Sequence, residues 1–590
     1  MKTKWFRLLT ILLIIPMIFV GCTGSGGDGK ETEETSVQTE SSTDTEEPKK
    51  EKIFVKIPDN SNVVVKISTK YNSDVASFIS DFKKKTGLTL RQANAFATPT
   101  DFEIVIGNVA SRPQSTEFYN EIGYSESAMT LKDKKLVIGT FCEDSIKGML
   151  GVVIDKLVKK DGEWGIWSDF RYSSEIVEIT ENVPKFASSG TLIQGVESNG
   201  GFLTGYTKAK LSEVKTYFDE LVAAGYTKHD ENNVKNNVYA TYVKNDTMVH
   251  VMWQGAVSTC KIAISSEGYV PETTAPSYTK LKDPTVAQVK LISTWGMLYV
   301  IQFEDGSFVV VDGGVNNSAN KSTLLNYLKA NKPAEHDKPH VTWIITHPHS
   351  DHIELPVSFL NGYSNEIYLD MISYNFPIVD KLTWSSTYTE QSTKDYAENK
   401  IIELEAVIAQ KYKDTKVFIH HTGQKLRLAG GEIEFIFTQE DWWPNGCQTF
   451  NDTCSAFKIT FDNGKSFLIT ADLDEEESDL LAKNYGDYLK CDVFQANHHG
   501  QKGGTANLYN LLKPTYVFWA NSEEKCTRTS GDIYEAPIHH SNRNSFNPIL
   551  FNDPNILGHF HGEKTTVINM RTMTATDANG NAATSFWPLN

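Results

Sequence analysis

A six-residue motif, HPHSDH, constrains this chain more than any other feature of its sequence. It follows VTWIIT, an apolar and β-branched run that predicts a strand buried in a sheet. In an extended chain, side chains two apart share a face, so His347 and His349 should project together. Asp351 lies in line with them, and His352 follows on the far side, where the chain turns away. The motif therefore predicts two imidazoles on one metal ion and an Asp–His pair on a second.

Two downstream strand ends supply the further ligands that two metal ions need. KSFLITAD ends in Asp472, and CDVFQANHHG contains His498 and His499 after an apolar run. A carboxylate can bridge two ions, and a histidine can complete the second coordination sphere. Taken alone, Asp472 would be a good helix N-cap and the histidines a polar turn. Neither explanation accounts for three such strand ends in one domain.

These segments resemble the metallo-β-lactamase superfamily. The resemblance is carried by WGMLYVIQFEDGSFVVVDGG, THPHSDH, NDTCSAFKITFDNGKSFLITAD and DVFQANHHG. The closest pattern is the branch that includes the hydrolase-like domain of bacterial DNA-uptake channel proteins and the phosphorylcholine esterase of cell-wall teichoic acids. The resemblance covers the last half of the chain, residues 276–590. It implies an α/β fold, the αββα sandwich, with two facing sheets, helices outside and the metals at one edge.

The resemblance also implies two divalent ions, zinc or manganese, and a role for each motif residue. Within the HHG pair we choose His498 as the metal ligand and keep His499 as the alternate ligand or a proton donor. By this resemblance, His347 and His349 would bind the first ion, and Asp351, His352 and His498 the second. Asp472 would bridge the two ions, and Asp312 would orient the metal-binding loop. Asp351 and His499 would take part in catalysis.

One departure from the superfamily pattern concerns the first ion. Many members have a further histidine between HxHxDH and the bridging aspartate. Here only His420 and His421 lie in that interval, and their spacing to GQKLRL favours structural histidines on a peripheral strand. Asn451, which opens NDTC, is expected to face the first site instead. A weaker first site follows, one that manganese would occupy as readily as zinc, or that would be only partly filled.

The predicted chemistry is hydrolysis, because two close ions lower the pKa of a bridging water and stabilise charge on a phosphoryl oxygen. The branch signature favours an anionic phosphodiester as substrate, in a cell-wall polymer or a nucleic acid. Trp442 and Trp443 are predicted at the rim of the site, where they would stack on a base, a sugar or a choline cation. Packing of the loop onto the sandwich is the alternative. Lys502 would steady a phosphate, unless it is simply solvated.

Other functions stay open at this point. The first site, which lacks one histidine of the superfamily pattern, also fits a non-catalytic or weakly catalytic surface-binding lipoprotein with a degenerate fold. Metal ions polarise lactam and thioester carbonyls too, so the centre alone does not choose the substrate. A third reading gives the main function to the N-terminal modules, as binders of wall glycans.

The N-terminus predicts export and a lipid anchor. Residues 1–22 combine a basic start, a short apolar run and the ending FVGC, which describe a signal peptide rather than a membrane span. FVGC resembles the lipobox of bacterial lipoproteins, in which Cys22 becomes the lipid-modified residue; a plain cleaved signal is the alternative. Residues 23–52 are acidic and almost without apolar side chains, so they should form a flexible tether. The expected location is the outer face of the bacterial cytoplasmic membrane.

Composition places limits on the remaining chain. The net charge of −17 argues against a broad surface for nucleic acid. The cysteines are sparse and form no CxxC pair, so neither a structural zinc site nor a disulfide scaffold is indicated, although a Cys447–Cys454 bridge stays open. Two small modules of mixed α and β structure are predicted before the sandwich, an α/β module over 53–183 and an α+β domain over 184–275.

Overall fold

The computed structural model describes most of the chain from residue 52 to residue 588. The described residues are 52–67, 71–124, 126–141, 145–173, 182–198, 201–266, 269–292, 296–379, 382, 384, 391–528, 536–541 and 543–588. The predicted signal peptide 1–22, with Cys22, and the predicted tether 23–52, apart from its last residue, lie outside them. Among the described helices, none combines the length and the hydropathy of a membrane span.

The N-terminal module is a mixed sheet with helices packed against it. Its elements are β1 (Phe54–Lys56), β2 (Ser61–Val65), α1 (Asn72–Thr86), β3 (Leu90–Ala93), β4 (Glu103–Ile106), α2 (Pro113–Glu121), β5 (Ser127–Lys132), β6 (Lys135–Thr140), α3 (Ile146–Lys156), β7 (Val158–Lys160), β8 (Glu163–Trp167) and β9 (Arg171–Ser173). The main sheet has the order β3-β2-β4-β6-β5-β9, and β1, β8 and β7 form a smaller one. Every residue of β4 is buried: Ile104–Ile106 are apolar, as suits a central parallel strand, and Glu103 forms a buried ion pair with Arg112 at 2.7 Å.

The middle module is an antiparallel sheet with one helix. Its elements are β10 (Thr191–Ser198), β11 (Gly201–Thr207), α4 (Leu211–Ala223), β12 (Thr227–Val234), β13 (Asn237–Lys244), β14 (Thr247–Gln254) and β15 (Thr259–Ser265), in the order β10-β11-β15-β14-β13-β12. Helix α4 buries Val214 and Leu221 in a core shared with one face of the sheet. On the opposite face, Tyr239 and Met252 join the core of the C-terminal half. The sheet is therefore covered on both sides.

The C-terminal half contains two large sheets. Its elements are β16 (Thr285–Gln288), β17 (Leu298–Gln302), β18 (Phe308–Asp312), α5 (Ser318–Asn331), β19 (His340–Ile344), α6 (Ser350–Gly362), β20 (Tyr368–Tyr374), α7 (Gln391–Lys411), β21 (Lys416–Ile419), β22 (Lys425–Leu428), β23 (Gly431–Phe437), α8 (Gln439–Trp442), β24 (Ala456–Phe461), β25 (Ser466–Ile469), α9 (Glu475–Tyr485), β26 (Val493–Gln495), α10 (Ala506–Leu512), β27 (Tyr516–Trp519), α11 (Glu523–Thr527), α12 (Asn547–Phe551), β28 (Gly558–His561), β29 (Thr566–Asn569) and β30 (Thr574–Asp577). The strand orders are β21-β20-β19-β18-β17-β16-β29-β30 and β22-β23-β24-β25-β26-β27-β28.

The two sheets face each other with helices outside, which makes this half an αββα sandwich. Alternate residues of the first sheet divide between its two faces, as the strand period requires. Val309 and Val311 join the core between the sheets, where the ring of Tyr299 meets that of Phe467 from the second sheet. Val310 belongs to the outer core under α5, α6 and α7. Helices α9 and α10 pack on the second sheet.

Both sheets contain a run of parallel strands, β18 to β21 in the first and β25 to β28 in the second. Ligands of open α/β sheets bind at the carboxyl ends of such strands. The predicted site residues follow β18, β19, β25 and β26, so the topology gathers them at one edge of the sandwich. Cys447 and Cys454 lie in this half as free, buried thiols, so no bridge joins them.

Candidate metal centre

The loop after β19 brings two histidines together. His347 Nε2 and His349 Nδ1 lie 3.0 Å apart, whereas two histidine nitrogens on one tetrahedral zinc ion are about 3.3 Å apart. His347 is fully buried, and its Nδ1 contacts Thr346 Oγ1 at 3.1 Å. His349 is extended as the N-cap residue of α6, with φ −71° and ψ 153°. The pair is arranged as two ligands of one ion would be.

The first turn of α6 adds Asp351 and His352 to this pair. A carboxylate is favoured in this turn by the helix dipole. The ring centroid of His352 is 4.1 Å from that of His347, and His352 Nε2 is 3.8 Å from Asp351 Oδ2. The expectation that His352 lies on the far side of the loop is therefore wrong. Because the helix begins at residue 350, side chains there follow helical spacing and His352 returns to the same cluster.

Asp312 holds the loop from behind, as predicted for it. Its carboxylate, at the end of β18, accepts hydrogen bonds from Thr346 N, Thr346 Oγ1 and His352 Nδ1, each at 2.8 Å. The bond from Nδ1 leaves Nε2 of His352 facing the cluster. Burial raises the pKa of the Asp312 carboxyl, against the opposing effect of His352.

The second sheet contributes Asp472 after β25 and His499 after β26. Asp472 Oδ2 lies 3.3 Å from His352 Nε2 and 3.2 Å from His499 Nε2. His499 Nε2 is also 3.1 Å from Asp351 Oδ2. These four residues each offer one ligand atom, and the four atoms all lie within 4.8 Å of one another. Three separate strand ends thus meet in one group of potential metal ligands.

A strained turn decides which residue of the HHG motif reaches this group. The backbone is left-handed at His498 (φ 43°), His499 (φ 56°) and Gly500 (φ 75°). Such a conformation costs a non-glycine residue roughly 1–2 kcal/mol, and it persists where surrounding contacts hold it. Here two buried amides do so: Asn521 Nδ2 donates to His499 O at 3.0 Å and Asn547 Nδ2 to Gly500 O at 2.8 Å. The turn directs the side chain of His499 inward.

His498, the predicted ligand, lies at the edge of the cluster. Its Nε2 is 3.8 Å from Asp472 Oδ2, and its Nδ1 contacts Asp474 Oδ1 at 3.1 Å. The side chain of His498 is 17% exposed, against 3% for His499. The structure therefore places the alternate choice, His499, in the ligand group, and His498 between that group and the solvent.

Several polar atoms of the centre are buried without a well-formed hydrogen bond among the described residues. An unpaired buried polar atom is unfavourable and is rare in folded proteins. Imidazole nitrogen and carboxylate oxygen are the ligand types of zinc, and manganese accepts them as well. The cluster therefore fits divalent ions. Asp472 Oδ1 and Asn451 Oδ1 have no partner, and His352 Nε2 and His499 Nε2 form no hydrogen bond of good geometry, although carboxylate oxygens lie 3.1 to 3.3 Å from them.

The two halves of the centre differ in charge. Burial opposes the charged form of His499, but Asp472 and Asp351 raise its pKa to about 10. Burial likewise opposes charge on His352, yet the same carboxylates hold its pKa well above the ordinary value. Burial and the neighbouring histidines lower the pKa of His347 well below its usual range. One half is thus rich in carboxylate charge, and the other offers neutral imidazole, the form that binds metal.

Asn451 stands beside the centre on a short 3₁₀ turn, Phe450–Thr453. It is buried, and its Nδ2 lies 3.4 Å from His498 Nδ1. The neighbouring Phe450 ring meets the His349 imidazole edge-on at 5.8 Å. Asn451 therefore lies next to His498, and its neighbour Phe450 contacts His349 of the pair expected to bind the first ion.

His420 and His421 follow β21, the edge strand of the first sheet, and both are buried. The ring nitrogens of His420 contact Ser373 Oγ at 2.8 Å and Ser455 Oγ at 2.7 Å. His421 Nδ1 contacts Glu440 Oε1 at 2.5 Å. These protein partners agree with the structural role predicted for both histidines.

The predicted rim residues have different environments. Trp442 is only 9% exposed and packs into the sandwich core, because it lies on the buried face of the short helix α8. The packing alternative therefore describes Trp442, and its prediction as a rim residue is wrong. Trp443 is partly buried, and its ring packs against Gly205 of the middle module. The contact is close: a Cβ atom added at Gly205 would lie 3.2 Å from the ring. Lys502 is half-exposed and pairs with Asp474 at 2.8 Å.

Sequence reasoning missed three residues that support the centre. Thr346, Asp474 and Asn521 contact Asp312, His498 and the His499 backbone, as described above. Thr346 directly precedes the HxHxDH motif and Asp474 lies two residues after Asp472, so their proximity was available as a signal. Nothing in the sequence separates Asn521 from other asparagines, since its role depends on the turn that it holds.

A second polar group, formed by Glu523, His561 and Glu563, does not fit a cation. The His561 Nδ1 accepts a hydrogen bond from Glu563 N at 3.3 Å, so the proton of a neutral ring lies on Nε2. That nitrogen is 3.7 Å from Glu523 Oε1, which Lys564 already contacts at 3.0 Å. A protonated nitrogen offers no lone pair to a metal, so this group is a hydrogen-bonded cluster.

The fold and the site define a class: an αββα sandwich with a His/Asp metal-ligand cluster at one sheet edge. The sequence matches no protein-family model and no curated protein. It is similar to the solved structure of CmlA, a diiron β-hydroxylase from Streptomyces venezuelae, at 12% identity over 40% of this chain and 45% of that chain, with a TM-score of 0.23. The chain thus spans less than half the length of CmlA.

Two further solved structures are similar over a comparable share of the chain. A metallo-β-lactamase from Cronobacter sakazakii is 14% identical over 37% of this chain and 75% of that chain, with a TM-score of 0.22. The short form of human tRNase Z is 11% identical over 40% of this chain and 90% of that chain, with a TM-score of 0.24. Scores this low carry no argument about function, and the fold assignment rests on the sheet order and layers of the chain itself.

Proposed function

We propose that this chain is a metal-dependent hydrolase of the metallo-β-lactamase superfamily that cleaves phosphodiesters outside the cytoplasm. The observation that carries the proposal is the convergence of the ligand-type atoms of Asp351, His352, Asp472 and His499 in a buried place, where Asp472 Oδ1 has no hydrogen-bond partner among the described residues. A structural cluster would satisfy these atoms internally, as His420 and His421 are satisfied. A lipid anchor at Cys22, on the outer face of the bacterial cytoplasmic membrane, belongs to the same proposal and is supported by the FVGC motif.

The residues present suit two divalent ions, zinc or manganese. Asp351, His352, Asp472 and His499 would hold one of them. The other would lie against His347 and His349, with Asp472 between the two and Asn451 Oδ1 as a further oxygen. When bound, such ions lower the pKa of water and offset negative charge on a phosphoryl oxygen.

The protein's own contribution is to fix and shield these side chains. Asp312 accepts from His352 Nδ1, and the Ala520 carbonyl lies 2.9 Å from His499 Nδ1, so both histidines present Nε2 to the centre. We assign Asp351 and His499 to catalysis; Oδ2 of the first and Nε2 of the second lie 3.1 Å apart within the ligand group. His498, at the outer edge of the cluster, is the residue that an approaching anion meets first.

The phosphodiester assignment is supported by the NDTC, TAD and HHG motifs, which resemble the phosphodiester-cleaving branch. The test is hydrolysis of bis(p-nitrophenyl) phosphate by the purified protein, its loss after chelation and its return with manganese or zinc. Clear activity on a chromogenic lactam or a thioester, with none on any phosphodiester, would move the protein to another hydrolase class. Near-zero metal in protein never exposed to chelator would favour a binding scaffold.

The two residues of the HHG pair provide a matched test of the ligand assignment. His499→Ala is expected to lower bound metal by one ion per chain and to reduce kcat/KM by about 10²-fold or more, because Nε2 of His499 lies inside the ligand group. His498→Ala should retain both ions. Metal content by mass spectrometry and kinetics of both variants decide. The reverse pattern, with the ion lost from the His498 variant, would restore His498 as the ligand.

A further inference from the structure

The middle module contacts a segment of the sandwich that reaches the metal centre. We call residues 438–453 the rim segment; it comprises α8 and the chain up to the turn that carries Asn451. Lys261, on β15, is buried at 5% exposure. Its ammonium donates to the main-chain carbonyls of Glu440 and of Asp441, the latter at 2.8 Å. A lysine of one module thus holds the backbone of another.

Further contacts hold the same helix. Gln254, on β14, donates from Nε2 to Asp441 Oδ1 at 2.5 Å. The other carboxylate oxygen of Asp441 accepts from Thr438 N at 2.8 Å and from the Thr422 hydroxyl. Burial raises the pKa of Asp441, whereas the charge of Lys261 opposes that shift. The start of the rim segment is therefore fixed by two buried polar side chains of the middle module.

The end of the rim segment lies against the metal centre. The Thr449 hydroxyl caps the 3₁₀ turn by accepting from Asn451 N at 3.1 Å. Phe450 is fully buried and meets the ring of His349, and Asn451 presents an unpaired buried Oδ1. Just beyond the segment, Ser455 N donates to Thr346 O at 3.0 Å, directly before the metal-binding loop.

We propose that the middle module is a working part of the hydrolase, in which Lys261 is a positioning residue for the rim segment. By fixing the backbone at residues 440 and 441, Lys261 sets where Phe450 and Asn451 stand relative to His347 and His349. This inference rests on the proposed function, and it gives the middle module a role within the hydrolase, whereas the alternative from the sequence was glycan binding. It also explains why Lys261 is buried at the boundary between two modules, where its ammonium donates to main-chain carbonyls.

The experiment compares Lys261→Met with a control at the same boundary. Arg427→Met removes an ion pair between β22 and Asp230 of β12, at 2.9 Å, which within the described part of the chain makes no hydrogen bond or ion pair with the rim segment. In full-length protein, Lys261→Met should speed amide hydrogen exchange across residues 443–453. It should also weaken binding of the first manganese ion and lower kcat/KM, each by about tenfold. Arg427→Met should leave all three at wild-type values.

Two more variants keep the inference testable. If Lys261→Met does not fold, Gln254→Met removes a neutral contact to the same helix and should raise exchange in the same peptides. Adding Asn451→Ala to Lys261→Met should lower manganese affinity no further than Asn451→Ala alone, because Lys261 acts through Asn451. Equal exchange in the Lys261 and Arg427 variants, or additive effects with Asn451→Ala, would overturn the inference. If the wild-type protein neither binds metal nor hydrolyses phosphodiesters, only the proposed function is contradicted. The hydrogen-exchange comparison would still test whether Lys261 positions the rim segment, because it requires neither metal nor activity.

Discussion

Asp472→Asn is expected to lower kcat/KM by on the order of 10³-fold or more and to reduce bound metal from two ions to at most one. Asp472 is 2% exposed, and its Oδ2 lies within 3.3 Å of Nε2 of both His352 and His499. The asparagine keeps the shape of the side chain but removes the charge that two cations would share. The change should therefore act on the site and leave the fold intact.

The measurement is metal content together with hydrolysis of bis(p-nitrophenyl) phosphate. Asp414→Asn is a suitable control, because it makes the same chemical change at an exposed position of the sandwich. It should match the wild type in both readouts. Full metal content in the Asp472 variant would show that this carboxylate does not lie between the ions, and the dinuclear assignment would fail with it.

Asp312→Ala is expected to lower the free energy of unfolding by about 3 kcal/mol. The substitution leaves Thr346 N, Thr346 Oγ1 and His352 Nδ1 without their acceptor in a fully buried place. It also removes one of the carboxylates that keep the pKa of His352 high. Position 312 has φ 53°, which alanine adopts less readily than aspartate and which adds to the loss.

Urea denaturation of metal-free protein measures this effect without any contribution from bound ions. Asp305→Ala makes a fair comparison, since among the described residues its side chain accepts hydrogen bonds from Ser307 alone, in the turn before β18. We expect that variant to lose less than about 1 kcal/mol. Equal losses in the two variants would mean that Asp312 is merely one turn residue among others.

The position of the site was predictable because local patterns and topology agree. The apolar strand before the HxHxDH motif, and those before Asp472 and His499, each end in ligand-type residues. Because the strands are parallel, their carboxyl ends lie at the same edge of the sheet. The contacts of Asp312 could be foreseen in the same way, since it ends the strand SFVVVD.

What the sequence could not give depends on dihedral angles and on long-range docking. The sequence does not distinguish the two adjacent histidines of HHG as metal ligands. The left-handed turn at residues 498 and 499 is what directs His499 inward. Trp442 looked like a rim residue because it precedes Asn451, but the short helix turns it into the core. The strands of the middle module follow from alternation, whereas Lys261 gives no hint in the sequence that its partner lies at residue 440.

The arrangement of the strand ends has a thermodynamic consequence. His352 follows β19 of the first sheet, and Asp472 and His499 follow β25 and β26 of the second, so an ion held by these three side chains would join the two layers. Binding to the native state alone adds RT ln(1 + [M]/Kd) to its stability, about 2.7 kcal/mol at a hundredfold excess over Kd. The concentration of available metal would thus affect the free energy of unfolding of the whole sandwich. Without metal, the edge that carries the site would be held less firmly, whether or not substrate is present.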